Sequence, residues 1–324
     1  MPDAPSSRPL RRYSYLGPRG TFTEAALAQV EEARGQEWNP VSSVAVALAE
    51  VTEGRSDAAV IAIENSVDGG VTVAQDALAT LPGLRVIGEY LVPVTFILVA
   101  RPGTRLEDVR VVNGHPVAYG QCRAFLESAL GDHEHVPASS NVAAARELFE
   151  SDAADAAIAP PSIVEHLDVE VLAEDIGENS NAVTRFLLVA RDDRPFPAPT
   201  GADKTSLVAE LPVDRAGALL GLLEQFSARG VNLSLIESRP VGDALGRYRF
   251  LLDADGHIAE ERVADALLGV RRFSPKLVFL GSYPRADRTP GTIDAAFRDE
   301  VFVEARAWLH ALRASGGATN TEER

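Results

Sequence analysis

The run Ala58–Ile63 contains no polar side chain. A strand of that composition is buried on both faces and needs helices packed on each side of its sheet. It sits within a regular alternation. Tyr13–Leu16 reads as a strand, and Thr21-Phe-Thr-Glu24 as a capping box opening a helix to about Arg34. Ser42 and Ser43 cap a second helix through Glu53, and the chain from Leu84 to Ala100 is extended but broken at Pro93. The alternation then repeats. Val111-Val112 is a strand, Pro116 opens a helix to about Leu130, and His133–Pro137 is a strand. Ser139, Ser140 and Asn141 cap a helix to about Ser151, followed by strands at Ala156–Ala159, Val169–Leu172 and Phe186–Ala190. Two such series with two crossings predict an α/β, doubly wound, two-lobed body around a cleft. One lobe spans about 12–92 plus 174–191, the other about 93–173.

Residues 192–203 carry three prolines and several charges, the composition of a linker. Beyond it, 204–284 read as strand-helix-strand-strand-helix-strand, the ferredoxin-like split βαββαβ arrangement. Residues 285–324 give an amphipathic helix, with Phe297, Val301, Ala305 and Trp308 on one face, and a polar tail.

Composition narrows the function. With 31 basic and 47 acidic residues the formal charge is -16, which disfavours nucleic acid or an anionic membrane as a general partner. Lys204 and Lys276 are the only lysines. An anion site before the linker must therefore use arginines, hydroxyls, amides and backbone N–H groups. Cys122 is the only cysteine, so neither an intrachain disulfide nor a cysteine-built zinc site is available, and on a helix it reads as core filler. Met1–Arg12 lacks an apolar signal core, and Tyr90–Ala100 is too short to span a bilayer. The expected compartment is the cytoplasm.

Two strand ends carry the candidate chemistry. Ala58–Ile63 ends in Glu64-Asn-Ser66 and Gly69-Gly70, and polar groups at the carboxyl end of such a strand are where open α/β sheets place ligands. Ile176–Asn181 leads into Thr184-Arg-Phe186, which offers a hydroxyl beside a guanidinium fork. Gly17-Pro-Arg-Gly20 is neither a dinucleotide fingerprint nor a Walker loop. His133-Glu-His135 on one strand is too few groups for a metal.

Taken in order, these segments resemble one family, the monofunctional prephenate dehydratases with a C-terminal ACT domain. The resemblance runs from about Tyr13 to Pro284 and rests on Tyr15-Leu-Gly-Pro-Arg-Gly-Thr-Phe-Thr-Glu-Ala-Ala26, Ile63-Glu-Asn-Ser66 with Gly69, His115-Pro116 with Gln121-Cys122, and Thr184-Arg-Phe186. Gly217-Ala-Leu219 and Ile236-Glu-Ser-Arg-Pro240 resemble the motifs that bind phenylalanine. Tyr119-Gly120 stands where a leucine-containing pair is usual, and Ser140-Asn141 where Ser-Thr is common.

The resemblance implies a periplasmic-binding-protein-like catalytic body. It also implies loss of carbon dioxide and water from prephenate to give phenylpyruvate, driven by aromatisation and needing no cofactor or metal. Thr184, Asn65, Ser66 and Ser140 are then expected as catalytic donors, and Arg185 as a carboxylate clamp, with Phe186, Glu64, Thr21 and Gln121 also against the substrate. Phenylalanine as allosteric inhibitor is expected at Gly217, Ala218, Leu219, Asn232, Glu237, Ser238 and Arg239, in a homodimer or homotetramer. The alternatives are an arogenate dehydratase and a catalytically silent sensor of a carboxylate and an amino acid. Thr184 with Asn65 and Ser66 favours the enzyme, since a sensor needs no donor for a leaving group.

Overall fold

In the computed structural model, which describes residues 11–211, 215–242, 246–274 and 276–316, the apolar run beginning at Ala58 is a buried strand near the middle of a sheet. The leader 1–10 and the tail 317–324 lie outside the described residues. Two compact units are present. The first unit carries β1 (Arg12–Leu16), α1 (Phe22–Ala28), β2 (Glu37–Val41), α2 (Val44–Thr52), β3 (Ala58–Asn65), β4 (Gly69–Gly70) and most of α3 (Thr72–Thr80) and β5 (Leu84–Pro93), whose segments Leu78–Leu81 and Arg85–Gly88 group with the second. It continues through β6 (Ile97–Ala100), β7 (Val111–Gly114), α4 (Pro116–Gln121), α5 (Arg123–Leu130), β8 (Glu134–Pro137), α6 (Asn141–Glu150), β9 (Ala156–Ala159), β10 (Glu170–Ala173) and β11 (Val183–Arg191).

These strands form two sheets. One has the order β2-β1-β3-β11-β5 with β4 against β3, and the other β10-β6-β9-β7-β8. β11 returns to the first sheet antiparallel to β3. The two crossings between the lobes run side by side, with Val94 N donating to Ala182 O at 2.8 Å and Ile176 N to Phe96 O at 3.0 Å. The second lobe is filled on one side of its sheet by Leu98, Val112, Leu126 and Ile158, and on the other by Val99, Val142, Leu148 and Ile163. Cys122 belongs to the former cluster, and burial pushes its thiol up to about 12.

Several expected elements differ. The helix from Thr21 stops at Ala28, with a separate 3-10 turn at Glu31–Ala33. Glu24 N donates to Thr21 Oγ1 at 3.3 Å, but the Glu24 carboxylate takes the N–H of Gly20 instead of closing the box on Thr21. β2 was not expected, because Glu37-Trp-Asn-Pro-Val41 is polar and contains a proline that only an edge strand tolerates. The single helix expected from Pro116 is two, because Cys122 leaves helical geometry at φ -110°, ψ 4°. Asn141 is the first helical residue and not a cap; the cap is Ser140, which accepts from Ala143 N at 3.0 Å.

Glu50 fastens the outer part of the first lobe. Its carboxylate accepts from Ser14 Oγ, from Asn39 Nδ2 at 2.7 Å and from Ser56 Oγ at 3.1 Å, joining α2 to β1, β2 and the turn before β3. Burial pushes this carboxyl up, but those hydrogen bonds and the charge of Arg12 outweigh it and hold the group below its ordinary range. A lowered folded value stabilises above the unfolded value and stops doing so as pH falls through the folded one. Glu50→Gln is expected to cost about 2 kcal/mol at pH 7, the deficit relative to wild type closing below about pH 4. Urea unfolding at a series of pH values checks both.

The second unit carries β12 (Asp203–Glu210), α7 (Ala218–Ser227), β13 (Leu233–Pro240), β14 (Tyr248–Asp255), α8 (Glu261–Phe273) and β15 (Leu277–Pro284), then α9 (Asp299–Gly316). Its antiparallel sheet has the order β13-β14-β12-β15, the ferredoxin-like split arrangement. Leu207, Leu222, Phe226, Leu252 and Val263 fill the space between that sheet and its two helices. None of the described helices is long and apolar enough to cross a membrane.

Candidate active site

The pairing of β11 with β3 decides which side chains meet. Thr184 lies opposite Asn65, Arg185 opposite Glu64, and Phe186 opposite Ala62, so Ile63 is an extra residue on β3. Such a bulge reverses the inward and outward phase of the strand beyond it. Thr184, Phe186 and Ala62 therefore share one face with Asn65, while Arg185 and Glu64 share the other.

On the first face is a hollow of about 300 Å³. The first lobe lines it with Thr21, Phe22, Thr23, Ala62, Thr184 and Phe186. The second lobe contributes His115, the segment Ser139–Val142 and Pro160. Thr184 is only 8% exposed, and Asn65 Nδ2 donates to its Oγ1 at 2.8 Å. The Asn65 amide cannot turn over freely, because its Oδ1 accepts from Val67 N at 2.8 Å and Asp68 N at 3.1 Å. The Thr184 oxygen is thus engaged as an acceptor, and its hydroxyl proton is left to donate into the hollow.

Ser66 does not line the hollow. It holds the strand ends together: its N–H donates to Val183 O and its Oγ accepts from Val183 N, both at 2.9 Å. Gln121 likewise acts one step back, reaching from the second lobe to Asp68 Oδ2 at 3.2 Å, in the turn that Asn65 organises. Ser140 and Thr21 line the hollow as the caps of α6 and α1. In a first turn no preceding carbonyl serves the N–H groups, so those of Asn141 and Val142 remain available to an anion.

Arg185, expected as a carboxylate clamp, is placed elsewhere. Its guanidinium is buried at 6% exposure, donating from Nε to Glu89 and lying 3.6 Å from Glu64. The strand phase accounts for this, since an odd residue between two inward ones faces away. Glu64 goes with it and is not a wall of the hollow.

The walls also include residues not singled out from the sequence as substrate contacts, Thr23 and His115 among them. His115 Nδ1 accepts from Val117 N at 3.3 Å, which puts the proton of the neutral ring on Nε2 as a donor. Its backbone N–H donates to Asn141 Oδ1 at 3.1 Å, tying α4 to α6. The signal available was the His-Pro pair, a side-chain cap followed by a proline at the first helical position. Farther along, His135 stacks on Tyr119 at 3.9 Å and His133 Nε2 meets the Tyr119 hydroxyl at 3.0 Å. Among the described residues no group of three or more His, Cys, Asp or Glu side chains could hold a metal ion.

The phenylalanine-site candidates divide. Gly217, at φ +80°, opens α7, and with Ala218, Leu219, Leu223, Tyr248 and Phe250 it lines a hollow of about 560 Å³. Asn232 is at the other end of α7, bonded to Asp255 Oδ2 at 2.8 Å, and Glu237, Ser238 and Arg239 lie along the edge strand β13. Among the described residues, Asn232, Glu237, Ser238 and Arg239 are not part of the lining of that hollow.

Comparison with known proteins adds three results. The family model for prephenate dehydratase matches residues 13–194. The prephenate dehydratases of Mycolicibacterium smegmatis and Amycolatopsis methanolica are 42% and 40% identical over 95% and 94% of this chain, and 99% and 98% of their own lengths are covered. A crystal structure of prephenate dehydratase from Arthrobacter aurescens in complex with L-Phe superposes with a TM-score of 0.90. It is 50% identical, covering 94% of this chain and 99% of that one.

Proposed function

The chain belongs to the prephenate dehydratase family, enzymes that remove carbon dioxide and water from prephenate, and from that premise we propose that the hollow over Thr184 is where the reaction takes place. The observation that carries this reading is the Asn65–Thr184 hydrogen bond at 2.8 Å, which leaves a hydroxyl proton directed at a bound ligand. As the bond from the ring to its carboxylate breaks, the electron pair enters the ring and expels the ring hydroxyl. The departing oxygen needs a donor, and Thr184 supplies it. Threonine is a weak acid, so it polarises and relays rather than surrendering its proton outright. The other donors, Ser140 and His115 Nε2, are already oriented, so little reorganisation accompanies the development of charge.

Two carboxylates must also be held. With Arg185 occupied by Glu89, the N–H groups of Asn141 and Val142 at the start of the ten-residue helix α6 are the assigned grip, aided by the Thr21 and Thr23 hydroxyls. Phe186 supplies an apolar wall for the ring. Release of phenylpyruvate from prephenate by the purified chain, read by ultraviolet absorbance, tests the activity.

The second unit is assigned the binding of phenylalanine as a feedback inhibitor, in a homodimer or homotetramer. Gly217–Leu219 and Asn232 are separated by a helix about 15 Å long, so a complete site draws one group from each of two copies, joined through the edge strand β13. Phenylalanine at millimolar concentration is expected to inhibit. Asn232→Ala should lose at least about tenfold in inhibitor potency with turnover unchanged. Full inhibition of that variant at wild-type concentrations would remove Asn232 from the site. The cytoplasm is the assigned compartment, in keeping with a small anionic metabolite as substrate.

A further inference from the structure

The hollow has one wall on each lobe, and the lobes meet at Gly20, immediately before Thr21–Thr23. Gly20 is buried with φ +89°. A Cβ added there would come within 3.1 Å of His166 Cδ2, 3.6 Å of Ile163 Cδ1 and 3.7 Å of Val142 Cγ2, all on the second lobe. Both ends of its peptide unit are held. Its N–H donates to Glu24 Oε2, and its carbonyl accepts from Ser162 Oγ at 2.9 Å. The same Glu24 oxygen lies 3.3 Å from His166 Nε2, and Tyr15 donates to the other carboxylate oxygen at 3.1 Å. Glu24 of the first lobe and Ser162 of the second thus hold the Gly20 backbone beside the wall of the hollow, and Tyr15 and His166, one from each lobe, hold the Glu24 carboxylate.

We propose that Gly20, Glu24, Ser162 and His166 form a latch holding the two lobes closed over the substrate, with Ser162 and His166 as positioning residues. The proposal rests on reading the hollow as the prephenate site. The groups facing His166 are Glu24 from α1 and, behind it, Tyr15 from β1 with Arg19 beside it. Burial and Glu24 push the Tyr15 hydroxyl well above its ordinary range, so it remains a donor to Glu24. On its own segment His166 is flanked by Glu165 and Asp168, and α6 presents the uncharged Val142 there. The Glu24–His166 contact and the Ser162–Gly20 bond each cross from one lobe to the other, so loss of either loosens closure.

Apparent affinity falls in proportion to the closed fraction, whereas saturating substrate restores closure, so the latch acts on KM and leaves kcat largely alone. His166→Gln keeps a hydrogen-bond donor toward Glu24 and should leave KM for prephenate within about twofold of wild type, whereas His166→Ala and Ser162→Ala should each raise KM about fivefold at steady kcat. An unchanged KM in both alanine variants, or a loss that falls on kcat instead, overturns the latch. If Thr184→Val keeps full turnover, the site reading itself has failed. If Thr184→Val is inactive while the latch variants match wild type, the latch alone has failed.

Discussion

Thr184→Val is expected to lower kcat for phenylpyruvate formation by about 100- to 1000-fold, the range seen when one oriented donor to a developing oxyanion is removed. Valine is close to threonine in shape, and Thr184 is only 8% exposed, so the packing of β11 against β3 is retained. What disappears is the hydroxyl, together with the acceptor for Asn65 Nδ2. The fold should survive, because Ser66 still ties the strand ends through its two bonds to Val183. Far-UV circular dichroism and the melting temperature separate loss of the donor from loss of structure. Thr184→Ser keeps the hydroxyl and should retain at least about a tenth of the wild-type rate, the partial loss reflecting a freer side chain. A Thr184→Val enzyme within about threefold of wild type would place the departing hydroxyl against another wall group, such as His115.

The sequence contained the sheets of this site but not the detail that sorts its side chains. The apolar runs at Ala58 and Phe186 could only be buried strands, and glycines and polar residues after the first marked a strand mouth. That Asn65 and Thr184 meet follows from pairing those two strands in antiparallel register. The face on which Arg185 lies could not be read from the sequence, because the extra residue at Ile63 cannot be seen in the periodicity of β3: an alternating strand reads the same until its partner is known. β2 was missed for a related reason, since an edge strand need not be apolar and Pro40 argued against any strand. The break between α4 and α5 is equally hidden, because Cys122 is a small buried residue with no helix-stopping signature. His115 and Thr23 became wall residues only once the second lobe was placed across from the first.

Removing the partner of Arg185 should damage stability more than chemistry. The Arg185 and Glu89 side chains are 7% and 3% exposed and joined by a short hydrogen bond from Nε, a pair far more buried than the ion pairs at the surface. Deleting one member of such a pair leaves the other charge without its most closely held counterion in a medium that solvates it poorly. Glu89→Ala is therefore expected to destabilise by about 3–5 kcal/mol, lowering the melting temperature of this unit by on the order of 10 °C. Replacing both members by apolar residues removes the stranded charge, so Glu89→Leu with Arg185→Met should recover most of that loss. The double variant also decides the role of the arginine. If Arg185 serves only to seat β11, KM for prephenate stays within about threefold of wild type, because the hollow is formed by the opposite face of the strand. If the guanidinium reaches a substrate carboxylate during turnover, the same protein, folded and stable, loses affinity by about 100-fold or more, as a severed charge-assisted contact requires. Melting curves and Michaelis constants measured on one preparation distinguish the two, since the first outcome moves neither quantity far and the second moves only KM.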